Sequence, residues 1–303
     1  MSSTVETAAL PPSDLARWIA ATRPKTLLLA ATPVVAGIGL AVAETGQFAP
    51  LAALATLVAA VAIQAGANLH NDAADFERGA DTPDRVGPPR ATAQGWFSAR
   101  QVRTAAHLAF GCAFLLGLAL AVRGGWPIVV IGIASLVCGY AYTSGPRPIA
   151  YGPFGELFVL AFFGIASVVG SYYLQTLSFA ASGTVLGIAL GLPAAAVLLL
   201  NNYRDLETDR AAGRRTLAQL LGRQRSRMLY DALMLLPVPI LIGAGLPGAA
   251  WLTLGALPLA LLLAVRLHRG AMGARINPML GQTALYQVAL SLLLLVGFVV
   301  GNG

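Results

Sequence analysis

Long runs of apolar residues, separated by short polar segments, extend over almost the whole chain. A helix that crosses a lipid bilayer needs roughly 17–25 mostly apolar residues. Asp231 is the one Asp, Glu, Lys or Arg residue inside the runs of this kind, which occupy residues 26–43, 48–67, 104–122, 125–143, 157–177, 179–200, 228–247, 249–265 and 283–301. The pattern therefore predicts an all-α, polytopic membrane protein built as a bundle of about nine transmembrane helices.

The composition indicates the same class of protein. Hydrophobic residues make up 57% of the 303 residues and charged residues only 11%, whereas about a quarter of an ordinary globular protein is charged. A soluble protein of this length is therefore excluded. Residues 1–15 form a polar tail without the basic and apolar regions of a cleaved signal peptide, so we expect the first span to be retained. No linker divides the chain, and residues 1–303 are predicted to form a single transmembrane domain.

The basic residues are distributed unevenly between the two sides of the predicted bundle. Threading nine spans through a bilayer places all of the 20 Lys and Arg residues except Arg123 on the side of the N-terminus. Basic residues close to span ends are retained in the cytoplasm. We therefore expect a multi-pass protein of the cell (plasma) membrane with a cytoplasmic N-terminus, cytoplasmic cap loops and an external C-terminus. This distribution explains the net charge of +7 without nucleic acid. The lipid bilayer is the predicted partner, and no obligate protein partner is evident.

Two long polar segments, 68–103 and 201–227, follow the second and sixth apolar runs on the cytoplasmic side. The first opens with Asn68-Leu-His-Asn-Asp-Ala-Ala-Asp75 and the second with Asn201-Asn-Tyr-Arg-Asp-Leu-Glu-Thr-Asp209. Side chains with oxygen atoms recur at spacings of three and four, so helices that continue into these segments would align them on one face. The similarity between the two segments indicates that the chain consists of two similar halves of four helices each, followed by a ninth helix.

Carboxylate and amide oxygens that converge on one helical face require a cation between them. Hard oxygen ligands in small number, with positions left for substrate oxygens, describe Mg²⁺, and the chain has no Cys and His cluster suited to zinc. For any one of these acidic residues taken alone, the simpler alternative to a metal-ligand role is a position in a solvated cytoplasmic loop. We predict catalytic roles for Asp72, Asp75, Asp205 and Asp209, and the predicted metal ligands are Asn68, Asn71, Asp72, Asp75, Asn201, Asp205 and Asp209.

Arginines are interleaved with both acidic segments, among them Arg85 and Arg90 after the first and Arg204 and Arg214 in the second. Guanidinium groups match phosphate oxygens with paired donors. The combination of magnesium ligands and arginines therefore indicates a site for a diphosphate. The predicted substrate-binding residues are Arg23, Lys25, Arg85, Arg147, Tyr151 and Arg204.

The two acidic segments resemble the aspartate motifs of the intramembrane aromatic prenyltransferases, the UbiA superfamily. Asn71-Asp72-x-x-Asp75, followed by Arg85, matches the first motif, and Asn201-x-x-x-Asp205-x-x-x-Asp209 matches the second. Many members carry a further aspartate where this chain has Gly79, and either Asp81 or Asp84 is expected to take its place. Within the superfamily, the chain most resembles the 1,4-dihydroxy-2-naphthoate polyprenyltransferases of menaquinone synthesis, through residues 23–27, 68–88, 164–175 and 201–216.

The resemblance implies a nine-helix bundle, a Mg²⁺ cofactor and two substrates, a polyprenyl diphosphate and dihydroxynaphthoate. Mg²⁺ held by both motifs would bind the diphosphate, with Lys25, Arg85 and Arg147 as its charge partners. Ionisation of the allylic C–O bond would give a cation that the aromatic ring attacks, and the ring carboxylate would leave as carbon dioxide. The expected product is demethylmenaquinol.

Two other functions fit parts of the pattern. A membrane transporter would carry ionisable groups near the bilayer midplane, whereas here the middle of each predicted span is apolar and the polar groups lie at one face. A sister prenyltransferase would share the diphosphate site and use another acceptor, such as 4-hydroxybenzoate or a homogentisate-like ring. The acceptor therefore stays open between members of this superfamily.

Overall fold

The computed structural model describes residues 13–79, 86–87 and 89–301, and within these ranges every regular element is a helix. Eight helices there have the length and composition to cross a membrane. They are α2 (Pro24–Thr45), α3 (Pro50–Glu77), α4 (Ala99–Gly124), α6 (Gly155–Thr176), α7 (Ala181–Arg204), α9 (Leu217–Gly243), α10 (Ala250–His268) and α11 (Gly273–Gly301). The shorter apolar helix α5 (Trp126–Ala141) lies at the fourth predicted span. The prediction of an all-α bundle with about nine spans is therefore confirmed.

Two short α-helices lie outside the spans, and a 3-10 helix at Ile149–Tyr151 lies between α5 and α6. Helix α1 (Asp14–Ala21) precedes the bundle and begins after Ser13, whose hydroxyl accepts a hydrogen bond from the Ala16 amide at 3.2 Å. Helix α8 (Leu206–Ala211) directly follows α7. Apart from residues 13–15, the predicted polar tail lies outside the described residues.

Several helices continue well beyond their apolar runs. Helix α3 extends ten residues past the predicted end at residue 67, so the first acidic segment is helical through Glu77. Helix α9 begins at Leu217, eleven residues before the predicted run, with a bend at Gly222, where φ is +69°. Hydrophobicity marks where a helix contacts lipid, whereas backbone hydrogen bonds let the helix continue into polar surroundings.

Small residues allow α6 and α7 to pack with their backbones in direct contact. A β-carbon added at Gly164 of α6 would lie 2.3 Å from the carbonyl oxygen of Gly187 and 2.7 Å from the Cα of Gly191, both on α7. Such close approach through small residues is typical of helix pairs in membranes. These two helices therefore form one tightly packed pair.

Large apolar side chains cover the outside of α4 and α5. Leu118, Val122, Trp126 and Val130 are between 51% and 90% exposed, an arrangement that suits contact with lipid rather than water. The chain is a multi-pass membrane protein.

The end of the bundle opposite the acidic segments is closed by hydrogen bonds. Arg123, at the end of α4, donates to the carbonyl oxygens of Leu174 at 2.7 Å and Gln175 at 3.1 Å. The Gln175 side chain in turn accepts from the Ala49 amide, just before α3, at 2.7 Å. The ends of α4 and α6 and the start of α3 are thus fastened together.

Candidate active site

The two acidic segments meet at one end of the bundle. Asn71 and Asp75 from α3 and Asn201, Asp205 and Asp209 from α7 and α8 line one polar cavity of about 100 Å³. The spacing of four survives the junction between α7 and α8, because the Asp205 amide donates to the Asn201 carbonyl at 3.1 Å and the Asp209 amide to the Asp205 carbonyl at 2.8 Å. The predicted convergence of the segments is present in the fold. The ligand roles stay predictions.

Arginine side chains connect the carboxylates of this cavity. Arg214 places Nη2 3.4 Å from Asp75 Oδ1 and Nη1 3.2 Å from Asp209 Oδ1, so one guanidinium spans both segments. Arg90 adds Nη2 at 2.8 Å from Asp75 Oδ2, and its Nη1 donates to Asn71 Oδ1 at 2.9 Å. The guanidinium groups that contact Asp75 and Asp209 therefore come from the polar segments after α3 and α8.

Tyr151 holds Arg214 in place. The Arg214 guanidinium lies 4.6 Å from the centre of the Tyr151 ring, which also faces Arg78 at 5.6 Å. The Arg215 amide donates to the Tyr151 carbonyl at 2.8 Å. Tyr151 was predicted to bind substrate, but it is absent from the lining of either described cavity and acts here on the arginine that is present there.

Arg204 was also predicted to bind substrate, but in the structure its side chain bonds to residues of the second acidic segment. Its Nε and Nη2 contact the two carboxylate oxygens of Asp205 at 2.7 and 2.5 Å, and its Nη2 also donates to Asn201 Oδ1 at 2.9 Å. Its Nη1 donates to Asn277 Oδ1 at 2.9 Å, while Asn277 Nδ2 donates to the Val86 carbonyl. Arg204 thus orders the second segment against α11 and lines neither described cavity.

Asp72, predicted as a catalytic residue and ligand, points away from the polar cavity. One residue along an α-helix turns a side chain by about 100° from its neighbour, so Asp72 does not share the face of Asn71 and Asp75. Its Oδ2 accepts from the Ala91 amide at 2.8 Å, and its Oδ1 accepts from the Thr92 amide at 3.2 Å and from the Thr92 hydroxyl. Asp72 therefore anchors the loop next to Arg90, and the structure does not support it as a metal ligand.

Asn68, another predicted ligand, has its amide fully engaged outside the polar cavity. Its Nδ2 donates to the Thr22 carbonyl and the Thr26 hydroxyl, both at 2.8 Å, and its Oδ1 accepts from Gln64 Nε2 at 3.2 Å. Asn68 lines a second, larger cavity instead. The amide side chain of Gln64 within an apolar run was the sequence signal for this contact, and the spacing of the acidic segments did not reveal it.

The remaining predicted residues differ in position. Arg23 precedes α2 with a left-handed backbone (φ +54°) and lines both cavities, whereas Lys25 lines the larger one. Arg147 lies exposed in the loop after α5 and lines neither cavity. Arg85, and with it Asp81 and Asp84, lies outside the described residues.

The larger cavity has a volume of about 900 Å³ and a mostly apolar wall from α2 to α7 and α11. It shares five lining residues with the polar cavity: Arg23, Asn71, Tyr142, Leu198 and Asn201. The two cavities are therefore adjacent. Charged side chains line the smaller cavity, and mostly apolar side chains line the larger one. Sequence periodicity could not reveal this space, because helices from distant parts of the chain enclose it.

The donor set of the polar cavity fits Mg²⁺. Within the described ranges, no three Asp, Glu, His or Cys side chains are grouped as a complete metal site. Mg²⁺ in phosphate-binding sites uses one or two carboxylates together with substrate oxygens, which matches the carboxylate and amide oxygens here. Burial raises the pKa of Asp209 to about 6, with Arg214 opposing the rise and Asp205 adding to it. At Asp209 the effect of burial on the pKa thus outweighs that of the neighbouring arginines, and a bound cation would oppose it further.

We predict that Asp72→Asn lowers the stability of the protein. The substitution replaces one acceptor oxygen by an N–H donor facing other donors, which costs about 1–3 kcal/mol. The midpoint of thermal unfolding of the detergent-solubilised protein should fall, while Glu77→Gln, an exposed acid on the same helix, should leave it almost unchanged. If the Asp72→Asn variant kept its stability and lost affinity for Mg²⁺, Asp72 would be a metal ligand and this prediction would be wrong.

The chain has clear relatives. The model of the UbiA prenyltransferase family matches residues 30–290. The 1,4-dihydroxy-2-naphthoate octaprenyltransferase of Mycobacterium tuberculosis is 37% identical over 275 residues, which cover 90% of this chain and 93% of that protein. The enzyme of the same name from Escherichia coli (strain K12) is 34% identical over 290 residues, or 92% of this chain and 94% of that protein.

Solved structures share the fold. A UbiA homolog from Archaeoglobus fulgidus bound to DMAPP and Mg²⁺ superimposes with a TM-score of 0.67 at 15% identity, covering 93% of this chain and 98% of that chain. The apo structure of a UbiA homolog from Aeropyrum pernix K1 gives a TM-score of 0.67 at 15% identity, over 89% and 97% of the two chains. With the family match over most of its length and relatives of this identity, the chain belongs to the UbiA prenyltransferase family.

Proposed function

We propose that the protein transfers a polyprenyl group from polyprenyl diphosphate to 1,4-dihydroxy-2-naphthoate in a Mg²⁺-dependent reaction. Diphosphate and carbon dioxide leave, and demethylmenaquinol is formed. The observation that carries this proposal is the adjacency of a charged cavity of about 100 Å³ and an apolar cavity of about 900 Å³. A prenyl diphosphate has this division into a charged head and a hydrocarbon tail. The two relatives named for this activity support the choice of acceptor.

The polar cavity would receive the diphosphate head. Asn71, Asp75, Asn201, Asp205 and Asp209 are the residues that would hold Mg²⁺, and the A. fulgidus homolog of similar fold was solved with DMAPP and Mg²⁺. When bound, Mg²⁺ supplies positive charge that favours departure of the diphosphate.

Arg214 supplies further positive charge from the protein itself. Its guanidinium already lies between Asp75 and Asp209, and its Nε is buried without a hydrogen-bond partner among the described residues. Donors that are fixed in position before the reaction stabilise developing negative charge without a reorganisation cost. Arg214 therefore has both the place and the unused donor to bind the leaving group.

The larger cavity would hold the isoprenoid chain and keep water from the allylic cation. Its wall includes Phe158 and Phe162, whose rings stack with centroids 6.3 Å apart, and Tyr142 at the boundary with the polar cavity. Aromatic faces attract cations, and exclusion of water prevents hydrolysis of a reactive intermediate. The cavity thus favours attack by the electron-rich ring over attack by water.

Removal of the proposed metal ligands should abolish turnover. We expect Asp75→Ala and Asp209→Ala each to lower kcat by about 10²–10³-fold, as for the loss of other charge-stabilising groups, and the double variant to be inactive. EDTA should have the same effect on the unaltered protein, and added Mg²⁺ should restore activity. Glu207→Gln is the matched control, because Glu207 lies on α8, like Asp209, and its side chain is exposed. Full activity of the double variant would contradict the two-segment site.

The fate of the acceptor carboxylate distinguishes the proposed acceptor from 4-hydroxybenzoate. Purified protein with carboxyl-labelled 1,4-dihydroxy-2-naphthoate, a polyprenyl diphosphate and Mg²⁺ should release labelled carbon dioxide in step with prenylated product. The product and the gas are measured together by chromatography and trapping. Efficient prenylation of 4-hydroxybenzoate with no use of the naphthoate would overturn the proposed acceptor and leave the diphosphate site in place.

We further propose that the active site faces the cytoplasm, because all Lys and Arg residues but Arg123 fall on one side of the threaded spans. A topology reporter inserted between Gly79 and Gly95 should then register as cytoplasmic, and one fused after Gly303 as external. The two fusions are compared by reporter activity in intact cells at equal expression. Reporters found on the same side would mean that one of the nine predicted spans is wrong.

A further inference from the structure

Gln64 lies near the middle of α3, in the wall of the larger cavity. Its neighbours on that wall include Ala60, Ile63 and Ala67, which offer no polar side-chain group. Gln64 precedes Asn71 by seven residues, which corresponds to about 10 Å along the helix axis. A polar side chain therefore faces the apolar cavity on the same helix as Asn71, which lines both cavities.

Hydrogen bonds determine which way the neighbouring Asn68 amide points. The backbone carbonyl of Thr22 can only accept, so the Asn68 group 2.8 Å from it must be the NH₂. The Thr26 hydroxyl gives its hydrogen to the Arg23 carbonyl at 2.9 Å and therefore accepts from the same NH₂ at 2.8 Å. Asn68 thus uses both N–H groups there, and its Oδ1 faces Gln64.

This orientation determines that of Gln64 in turn. Asn68 Oδ1 can only accept, so Gln64 presents Nε2 to it at 3.2 Å and also donates to the Thr26 hydroxyl at 3.3 Å. Both N–H groups of Gln64 are then used, and no described residue donates to its Oε1. The amide orientation follows from backbone groups that cannot reverse their roles. Gln64 therefore offers one unused acceptor oxygen inside an apolar cavity.

A hydroxyl group of a ligand is the natural partner of this oxygen. An acceptor without a hydrogen bond in an apolar space costs free energy, and an O–H donor removes that cost. Neither the hydrocarbon tail nor the ionised diphosphate of a prenyl substrate carries such a donor. The aromatic acceptor does, and Arg23 and Lys25 line the same cavity with positive charge suited to its carboxylate.

We propose that Gln64 Oε1 accepts a hydrogen bond from a phenolic hydroxyl of the aromatic acceptor, with Thr26 and Asn68 fixing the direction of the Gln64 amide. This inference rests on the proposed function, and it makes Gln64 a determinant of acceptor specificity. A site built to pair with a hydroxyl rejects analogues that lack it much more strongly than an apolar wall does.

The test compares acceptor analogues with a substitution at Gln64. The unaltered protein, with Mg²⁺ and a polyprenyl diphosphate, gives KM for 1,4-dihydroxy-2-naphthoate and inhibition constants for the two naphthoates that lack either the 1- or the 4-hydroxyl. We expect one of these analogues to bind about tenfold more weakly than the parent acceptor. Gln64→Leu should raise KM of the parent by a similar factor, leave KM of the prenyl diphosphate unchanged, and have no effect on that one analogue.

Thr253→Val is the control, because Thr253 lies on α10, lines neither described cavity, and its hydroxyl donates to the Ala250 carbonyl of the same helix at 2.7 Å. It should leave all constants unchanged. Equal weakening of every ligand by Gln64→Leu would indicate a change of shape and overturn the inference. If this variant fails to fold, equal binding of the parent and both analogues by the unaltered protein overturns it independently. Failure of the unaltered protein to prenylate dihydroxynaphthoate would instead contradict the proposed function.

Discussion

The burial of carboxylates at the end of an apolar bundle is the constraint on which the active site depends. Asp75 is 2% exposed and Asp209 6%, and isolated charges at such depth are costly unless a counter-charge is close. Arg214 meets this requirement for both residues at once, and Arg90 adds a second contact to Asp75. The same contacts connect a helix of the first half of the chain to the segment after α8. The arginine contacts that compensate the buried carboxylates are therefore the same contacts that assemble the site.

The positions of the spans could be predicted, because they depend on local patterns of apolar residues. The grouping of Asn71 with Asp75, and of Asn201 with Asp205 and Asp209, followed from helical spacing alone. These predictions needed no knowledge of contacts between distant residues.

The roles of individual polar residues could not be predicted in the same way. Asp72 differs from Asn71 by one position, yet its partners are in a loop twenty residues later. Asn68 is bonded to Thr22 and Thr26, more than forty residues before it. Arg204 serves its own segment and α11 rather than the cavity. In each case the role of the side chain depends on a hydrogen-bond partner that is distant in the sequence. The spacing of residues along one helix contains no information about such a partner.

The close contact of α6 with α7 has a mechanical consequence. Gly164, Gly187 and Gly191 bring the two backbones together, so neither helix can shift alone without losing that contact. Asn201 lies at the end of α7, whereas Asn71 and Asp75 lie on α3. The two halves of the polar cavity thus lie on different helices, which a hydrogen bond between the start of α3 and the end of α6 connects at the opposite end of the bundle. Any displacement of α7 relative to α3 would change the gap between the acidic segments directly, and the gap is spanned by the Arg214 guanidinium.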